Sequence, residues 1–190
     1  YSTDASIYQI EPIGVVIPQT EEDAVTAMQI GIDAGVAVLP RGGGTSQCGQ
    51  TVGEALVIDV SKYLRNVTDF NAEARTCVVQ PGMVLDHLNA FLKPHGLWYP
   101  VDVSTSAQAT IGGMVAAGLA GPARASVGSV RDYVLGVRML NGQGQDLTFG
   151  GQVMKNVAGY DVSRLMCGAM GILGLITQVS LKVLPRPAAE

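Results

Sequence analysis

The sequence predicts an α+β fold: a small β-α-β unit over about residues 1–65, then a larger, mainly antiparallel sheet with flanking helices over about 66–190, all in one continuous domain. Three observations carry this. An apolar run, an acid-led amphipathic stretch and a second apolar run follow one another between Val15 and Leu39. Further along, apolar and polar residues alternate with the period of two that marks a half-buried strand. The 24 glycines are too dense for ordinary turns yet form no low-complexity tract, so the backbone must turn tightly or approach something closely.

Val15-Val16-Ile17, followed by Pro18, reads as a short strand. Thr20 then offers an N-cap hydroxyl, and Glu21, Glu22 and Asp23 put three acids in the first turn, at the positive end of the helix dipole. Ala24, Ala27, Met28, Gly31 and Ile32 share one helical face, and the helix ends near Ala34-Gly35. Residues 36–39 are expected as a buried strand running straight into Pro40-Arg41-Gly42-Gly43-Gly44-Thr45-Ser46, which sets a glycine loop after the second strand. Residues 56–59 give a third strand and complete the small sheet. Near residue 65 the texture changes. Residues 67–70 and 76–80 alternate and predict a hairpin turning near Asn71-Ala72-Glu73, and a helix over 84–93 directs Leu85, Leu88 and Leu92 inward before Pro94 and Gly96 stop it. Met114 to Leu119 form a short helix of small residues. Residues 134–140 and 145–149 flank Asn141-Gly142, a hairpin signal because both positions tolerate positive φ. The clearest strand is the last: Leu175, Thr177, Val179, Leu181 and Val183 alternate with Gln178, Ser180 and Lys182, and Pro185-Arg186-Pro187 ends it.

Composition excludes several classes of function. With Lys+Arg 12 against Asp+Glu 16, a net charge of -4 and a pI near 5.1, there is no basic face for nucleic acid. Cys48, Cys77 and Cys167 make no C-x-x-C pair, have no histidine at ligand spacing and leave an odd thiol if two should pair. That pattern suits a reducing cytoplasm and argues against structural zinc. No apolar run reaches the roughly 18 residues of a spanning helix, and the first residues lack a signal-peptide pattern, so a soluble, cytoplasmic protein is expected.

Three successive glycines after a strand, followed by Thr45, Ser46 and Gln47, present unshielded backbone N–H groups and two hydroxyls, as a pyrophosphate requires. The run is neither G-x-G-x-x-G nor a Walker loop, and by itself it serves an ordinary tight turn equally well. A second donor-rich stretch follows at Pro100-Val101-Asp102-Val103-Ser104-Thr105 and Thr110-Ile111-Gly112-Gly113. Two such loops suit a long ligand with a diphosphate in its middle.

Together with Gly159-Tyr160-Asp161 and Gly171-x-Leu173-Gly174, these ordered motifs resemble the FAD-binding domain of the p-cresol methylhydroxylase and vanillyl-alcohol oxidase superfamily, over nearly the whole chain. The nearest branch is that of glycolate oxidase flavin subunits and D-2-hydroxy-acid dehydrogenases. The resemblance implies that Pro40 to Gln47 wraps the FAD pyrophosphate, that Pro100, Asp102, Ser104, Thr105 and Thr110 to Gly113 lie along the ribityl and phosphate portion, that Gly128 and Val134 lie against the adenosine half, and that Ile176 is on the strand near the flavin. Up to about Gly113 the chain resembles the dehydrogenase-like subgroup; from Gly118-Leu119-Ala120-Gly121-Pro122 through residues 153–165 it resembles the E-type glycolate oxidase subunit. A hybrid, engineered or excised scaffold domain that binds flavin without turnover is therefore the alternative. Where many relatives have Gly-Ser-Glu-Gly, this chain has Gly168-Ala169-Met170-Gly171.

Covalent flavin in this superfamily commonly uses a histidine after the glycine loop, or a cysteine in the later flavin loop. Thr45 stands at the loop position, and His87 and His95 lie on or beside a predicted helix, so non-covalent FAD is expected. Cys48 reads as a small packed residue, Cys77 and Cys167 as core, and Lys155 with Asp161 and Arg164 as a charged edge or an N-cap. No catalytic residue and no metal ligand is assigned. In the family a cap domain after a stretch like Leu184-Pro185-Arg186-Pro187 supplies the substrate site; its absence here predicts inefficient turnover of a 2-hydroxy acid such as glycolate or D-lactate. Partners are then FAD, other oxidase subunits or a cap domain, with self-association through an uncovered apolar face.

Overall fold

The structure, a computed structural model, describes residues 1–152 and 159–187. The first unit is β1 (Gly14–Val16), α1 (Glu21–Asp33), β2 (Val38–Arg41) and β3 (Leu56–Asp59). Helix α1 starts where the local chemistry dictates. Asp23 N–H donates to Thr20 Oγ1 at 3.1 Å while Asp23 Oδ2 accepts from Thr20 N–H at 2.9 Å, a reciprocal capping box. Its buried face is Ala24, Ala27, Met28 and Gly31, and a Cβ on Gly31 would lie 2.7 Å from Val38 Cγ2, so glycine is what lets the helix sit this close to the sheet.

The three strands are parallel in the order β1-β3-β2, so the third strand enters between the first two and is the most buried of them. The second strand begins two residues later than the sequence suggested, is only half-buried, and carries Pro40 and Arg41 as its last residues. Pro40 is tolerated because β2 is an edge strand, where a missing donor breaks no ladder.

The second sheet is built from β4 (Val67–Asn71), β5 (Thr76–Val79), β7 (Val134–Leu140), β8 (Asp146–Gly150) and β9 (Leu175–Lys182) in the antiparallel order β4-β5-β9-β7-β8. Between them come α2 (Leu85–Leu92), β6 (Leu97–Trp98), α3 (Ile111–Ala117), α4 (Arg124–Val127) and, after β8, α5 (Val162–Leu165). The two-residue β10 (Leu184–Pro185) pairs with β6. Leu85, Leu88 and Leu92 of α2 and Ile111, Met114 and Val115 of α3 pack on Val79, Val137, Val179 and Leu181 in the main core. A second core joins the units, with Ala24, Ala27 and Met28 of α1 beside Ile58, Leu140 and Leu175.

Two expectations need correction. The β7–β8 hairpin exists, but its positive φ falls on Gly144 (+74°), not on Asn141-Gly142. Asn141 Oδ1 instead accepts from Gln143 N–H at 2.9 Å and Gln145 N–H at 3.0 Å, which widens the loop. The short helix starts at Ile111, earlier than Met114, because Thr110 caps it and Gly118, with φ +63°, stops it.

Candidate flavin site

The glycine loop leaves the C-terminal edge of β2. A Cβ on Gly42 would lie 2.3 Å from Thr110 Oγ1, and one on Gly43 would lie 2.2 Å from the Gln108 carbonyl oxygen. The two motifs, more than sixty residues apart in the sequence, are thus in direct contact, and glycine is required for that contact. Gly44 adopts φ +67°, a left-handed conformation in which a side chain is strained. Among the described residues, no acceptor pairs with the amide N–H groups of Gly42, Gly43, Gly44, Thr45, Ser46 or Gln47. Ser46 Oγ accepts from Cys48 N–H at 3.2 Å and donates to Gln50 Oε1, which ties the far end of the loop.

Arg41 packs its guanidinium against the loop, where a Cβ on Gly44 would lie 2.7 Å from Nη2. Its guanidinium donates to the carbonyls of Thr51 at 3.0 Å, Thr3 at 2.8 Å and Tyr1 at 3.3 Å, and lies 5.3 Å from the Tyr1 ring centroid. It therefore anchors the first residues to the root of the loop. The Tyr1 hydroxyl donates to Asp59 Oδ2 at 2.7 Å, and burial of that hydroxyl, reinforced by the Asp59 carboxylate, pushes it up to about 12. A cavity of about 460 Å³ opens here, lined by Arg41, Gly42, Gly43, Gln108 and Thr110 together with Asp59, Ser61, Lys62, Val84 and Tyr1. Ser61, Lys62 and Gln108 were not found by sequence reasoning; each is a lone polar residue after a strand or inside a loop and carries no motif.

In the second segment, Pro100 is buried, Asp102 and Ser104 are exposed and Thr105 is half-buried. Gly121 passes so close to Asp102 that a Cβ would overlap its carbonyl oxygen at 1.7 Å. The first amides of α3 are already committed: Ile111 N–H to Met83 O and Gly112 N–H to Pro81 O, both at 2.8 Å, and Gly113 N–H to Thr110 Oγ1 at 3.3 Å. The Ser104 and Thr105 hydroxyls carry no partner among the described residues, and neither do the N–H groups of Asp102, Val103, Ser104 and Thr105.

The third motif reaches the same edge. Gly168 N–H and Met170 N–H donate to the Val115 and Ala116 carbonyls at 3.0 and 2.8 Å, docking this loop on α3. Gly171 faces the Pro40 ring, and Gln50 Nε2 approaches Met170 Sδ at 3.8 Å. Asp161 accepts from Arg164 N–H at 3.0 Å, the N-cap alternative of the sequence reading. Residues 153–158, with Lys155, lie outside the described residues.

Gly128 ends α4 at φ +86° against Asp132, whereas Val134 and Ile176 are core side chains only 2% and 6% exposed, so their outward chemistry is limited to the backbone. Cys77 is buried, and burial pushes its thiol up to about 12; Cys167 is half-buried and raised to about 11 for the same first reason. Cys48 is exposed, contrary to the expectation of a packed residue. Among the described residues no cluster of His, Cys, Asp and Glu can hold a metal ion.

Residues 12–150 match the family described as FAD binding domain. The chain belongs to that family. This FAD-binding domain is 48% identical to glycolate oxidase subunit GlcE of Escherichia coli (strain K12) over 127 residues, 66% of this chain and 36% of the relative. It is 35% identical to glycolate oxidase subunit GlcD of Bacillus subtilis (strain 168) over 193 residues, 100% of this chain and 41% of the relative. Against D-2-hydroxyglutarate dehydrogenase of Pantoea ananatis (strain AJ13355), identity is 30% over 98% of this chain and 24% of the relative. The chain thus spans less than half the length of each of these relatives. A solved structure of alkyldihydroxyacetonephosphate synthase superposes with a TM-score of 0.81 over 92% of this chain and 32% of its own, at 24% identity, which establishes the fold, that of p-cresol methylhydroxylase-type FAD-binding domains. The residues present fit FAD: consecutive uncommitted amides in the glycine loop, touching Thr110 and Gln108 of the second motif, are a donor set for a diphosphate. Among the described residues no helix is long and apolar enough to cross a membrane.

Proposed function

We propose that this domain holds FAD non-covalently, with the amides of Gly42 to Gln47 on the pyrophosphate, as the cofactor unit of an oxidoreductase acting on a 2-hydroxy acid such as glycolate or D-lactate. The observation that carries the reading is the run of amide hydrogens left without acceptors in the loop that touches the second motif through Thr110 and Gln108. Ser104 and Thr105 extend the donor set along the phosphate and ribityl portion, while Ile111, Gly112 and Gly113 support the loop more than they donate, since their amides are committed within the protein. Gly128, Val134 and Ile176 would meet the cofactor through their backbones. Bound FAD would supply the hydride acceptor, and the chain's part is to bind and orient it.

Non-covalent attachment is supported by Thr45 in the loop and by His95, whose ring lies 4.7 Å from Phe70 and 5.9 Å from Phe91 in a separate aromatic cluster. The substrate class rests on the glycolate oxidase and D-2-hydroxyglutarate dehydrogenase relatives. Other oxidase subunits or a cap domain would complete the substrate site. The exposed Leu165, Met170, Ile172 and Leu173 give such a partner, or a second copy, an apolar surface. Three free cysteines suit the cytoplasm.

The test is to load purified protein with FAD, desalt it and record the flavin absorbance, then precipitate with acid. The expected result is a yellow protein whose flavin stays in the supernatant. A colourless protein overturns FAD binding, and a yellow pellet overturns non-covalent attachment. Anaerobic bleaching of the bound flavin by glycolate, D-lactate or 2-hydroxyglutarate, but not by simple alcohols, tests the substrate class.

A further inference from the structure

Glu21, the first residue of α1, stands where the two units meet, and its carboxylate gathers donors from three parts of the larger sheet. Gln80 Nε2, just after β5, donates at 3.2 Å, Gln178 Nε2 on β9 at 2.9 Å and Arg138 Nη1 on β7 at 2.6 Å. Arg138 is itself gripped by Asp146 of β8 through Nε at 3.0 Å and Nη2 at 2.6 Å. All of Glu21's partners are donors, so only a carboxylate satisfies them; a carboxamide would turn its NH₂ toward at least one N–H.

The other side of the same turn holds the cofactor loops. Gln80 Oε1 accepts from Asn66 N–H and Nδ2, each at 3.1 Å. Pro81 and Met83 supply the carbonyls that take Gly112 and Ile111 N–H at 2.8 Å. Gly82 is wedged in place, since a Cβ there would lie 2.1 Å from the Val60 carbonyl oxygen. The start of α3 then sets Thr110 Oγ1 against Gly42.

We propose that Glu21 is a positioning residue for the flavin site: by fixing residues 80–83 it sets the placement of Thr110 to Gly113, and through them of the glycine loop, without touching the cofactor. The inference rests on the FAD reading above. Its polar partners lie on β7, on β9 and just after β5, and its side chain is 16% exposed against 37% for Arg138, so the bonds on the Glu21 side are partly shielded from the solvent screening that makes surface pairs weak.

The test uses Glu21→Gln, with Arg138→Lys as a milder variant should the first fail to fold, and Gln29→Ala on the exposed face of α1 as the control. Hydrogen exchange at the Ile111 and Gly112 amides is followed in protein without FAD, and FAD affinity is followed by flavin fluorescence well below each melting midpoint. Glu21→Gln and Arg138→Lys are expected to speed exchange at both amides and to raise the FAD dissociation constant about two- to thirty-fold, while Gln29→Ala changes neither. A merely structural bond would lower the melting temperature, speed exchange at these two amides no more than at core amides such as Val179, and leave affinity at the wild-type value, which would overturn the proposal. Weaker affinity with unchanged exchange would overturn it too, because the turn would not be the route. Wild-type protein that binds no FAD would refute the cofactor reading, and exchange at Ile111 and Gly112 would then decide the relay by itself.

Discussion

One methyl group added to the glycine loop distinguishes two neighbouring positions. In Gly42→Ala the new Cβ meets Thr110 Oγ1 at 2.3 Å but Thr110 Cβ at an ordinary 3.5 Å. The hydroxyl can rotate away, at the cost of its bond from Gly113 N–H. Losing an N-cap bond costs about 0.5–2 kcal/mol, and Gly to Ala recovers about 0.4–1 kcal/mol through the unfolded state. The net runs from about 0.5 kcal/mol of gain to about 1.6 kcal/mol of loss, a fall of at most about 3–6 °C in a protein of this size. In Gly43→Ala the Cβ meets the Gln108 carbonyl oxygen at 2.2 Å and its carbon at 3.1 Å. Backbone cannot swing aside, so the loops must separate, at about 1–3 kcal/mol and about 2–12 °C. Adding Gly42→Ala to Thr110→Ala should cost almost nothing, because the offending oxygen is already gone. Thermal and urea unfolding of the four proteins in that cycle, with Gly43→Ala beside them, measures all of this. Strict additivity of Gly42→Ala and Thr110→Ala, or a Gly43→Ala milder than Gly42→Ala, would refute the docking of the two loops.

Three further outcomes follow from the same geometry. Asp132 is held below its usual 3.8, first by the hydrogen bond from Ser129 N–H. Its folded value is depressed, so its contribution is complete above 3.8 and lost as pH falls below it. Asp132→Asn should therefore be the less stable protein at neutral pH, with the difference closing under acid; a gap that persists to low pH contradicts the assignment. Iodoacetamide at pH 8 should label Cys48 in the native protein, reach Cys167 slowly and leave Cys77 untouched until denaturant is added, as peptide mass spectrometry would show. Arg41→Ala removes the donors to Tyr1, Thr3 and Thr51, and should cost about 1–3 kcal/mol and speed proteolysis within the first residues. Unchanged cleavage there would mean that Arg41 is not their anchor.

What the sequence made legible is what short-range chemistry decides. Thr20 and Asp23 announce the start of α1, Leu85, Leu88 and Leu92 its buried counterpart in α2, and the alternation from Leu175 onward the central strand. The place of β3 between β1 and β2 was not legible, because the order of parallel strands is set by where the crossover packs. Nor were β6 and β10, which are too short to show any period. At the site, the glycine loop was found, but the reason for Gly42 and Gly43 was not: the space a Cβ would fill is taken by Thr110 and Gln108, a contact between distant residues. That Arg41 donates to the carbonyls of Tyr1, Thr3 and Thr51 was not legible, since a sequence does not say which way a long side chain points. Cys48, read as packed, is exposed, because what surrounds a loop residue is set by the path of the loop and not by its residue type.

The diphosphate claim is tested most directly by following the backbone amide resonances of ¹⁵N-labelled protein while FAD is added, with riboflavin, which has no phosphate, as the comparison. The amides of Gly42 to Gln47 should shift together with FAD and stay in place with riboflavin. Shifts confined to other residues, or equal shifts with both flavins, would contradict the placement of the diphosphate on this loop.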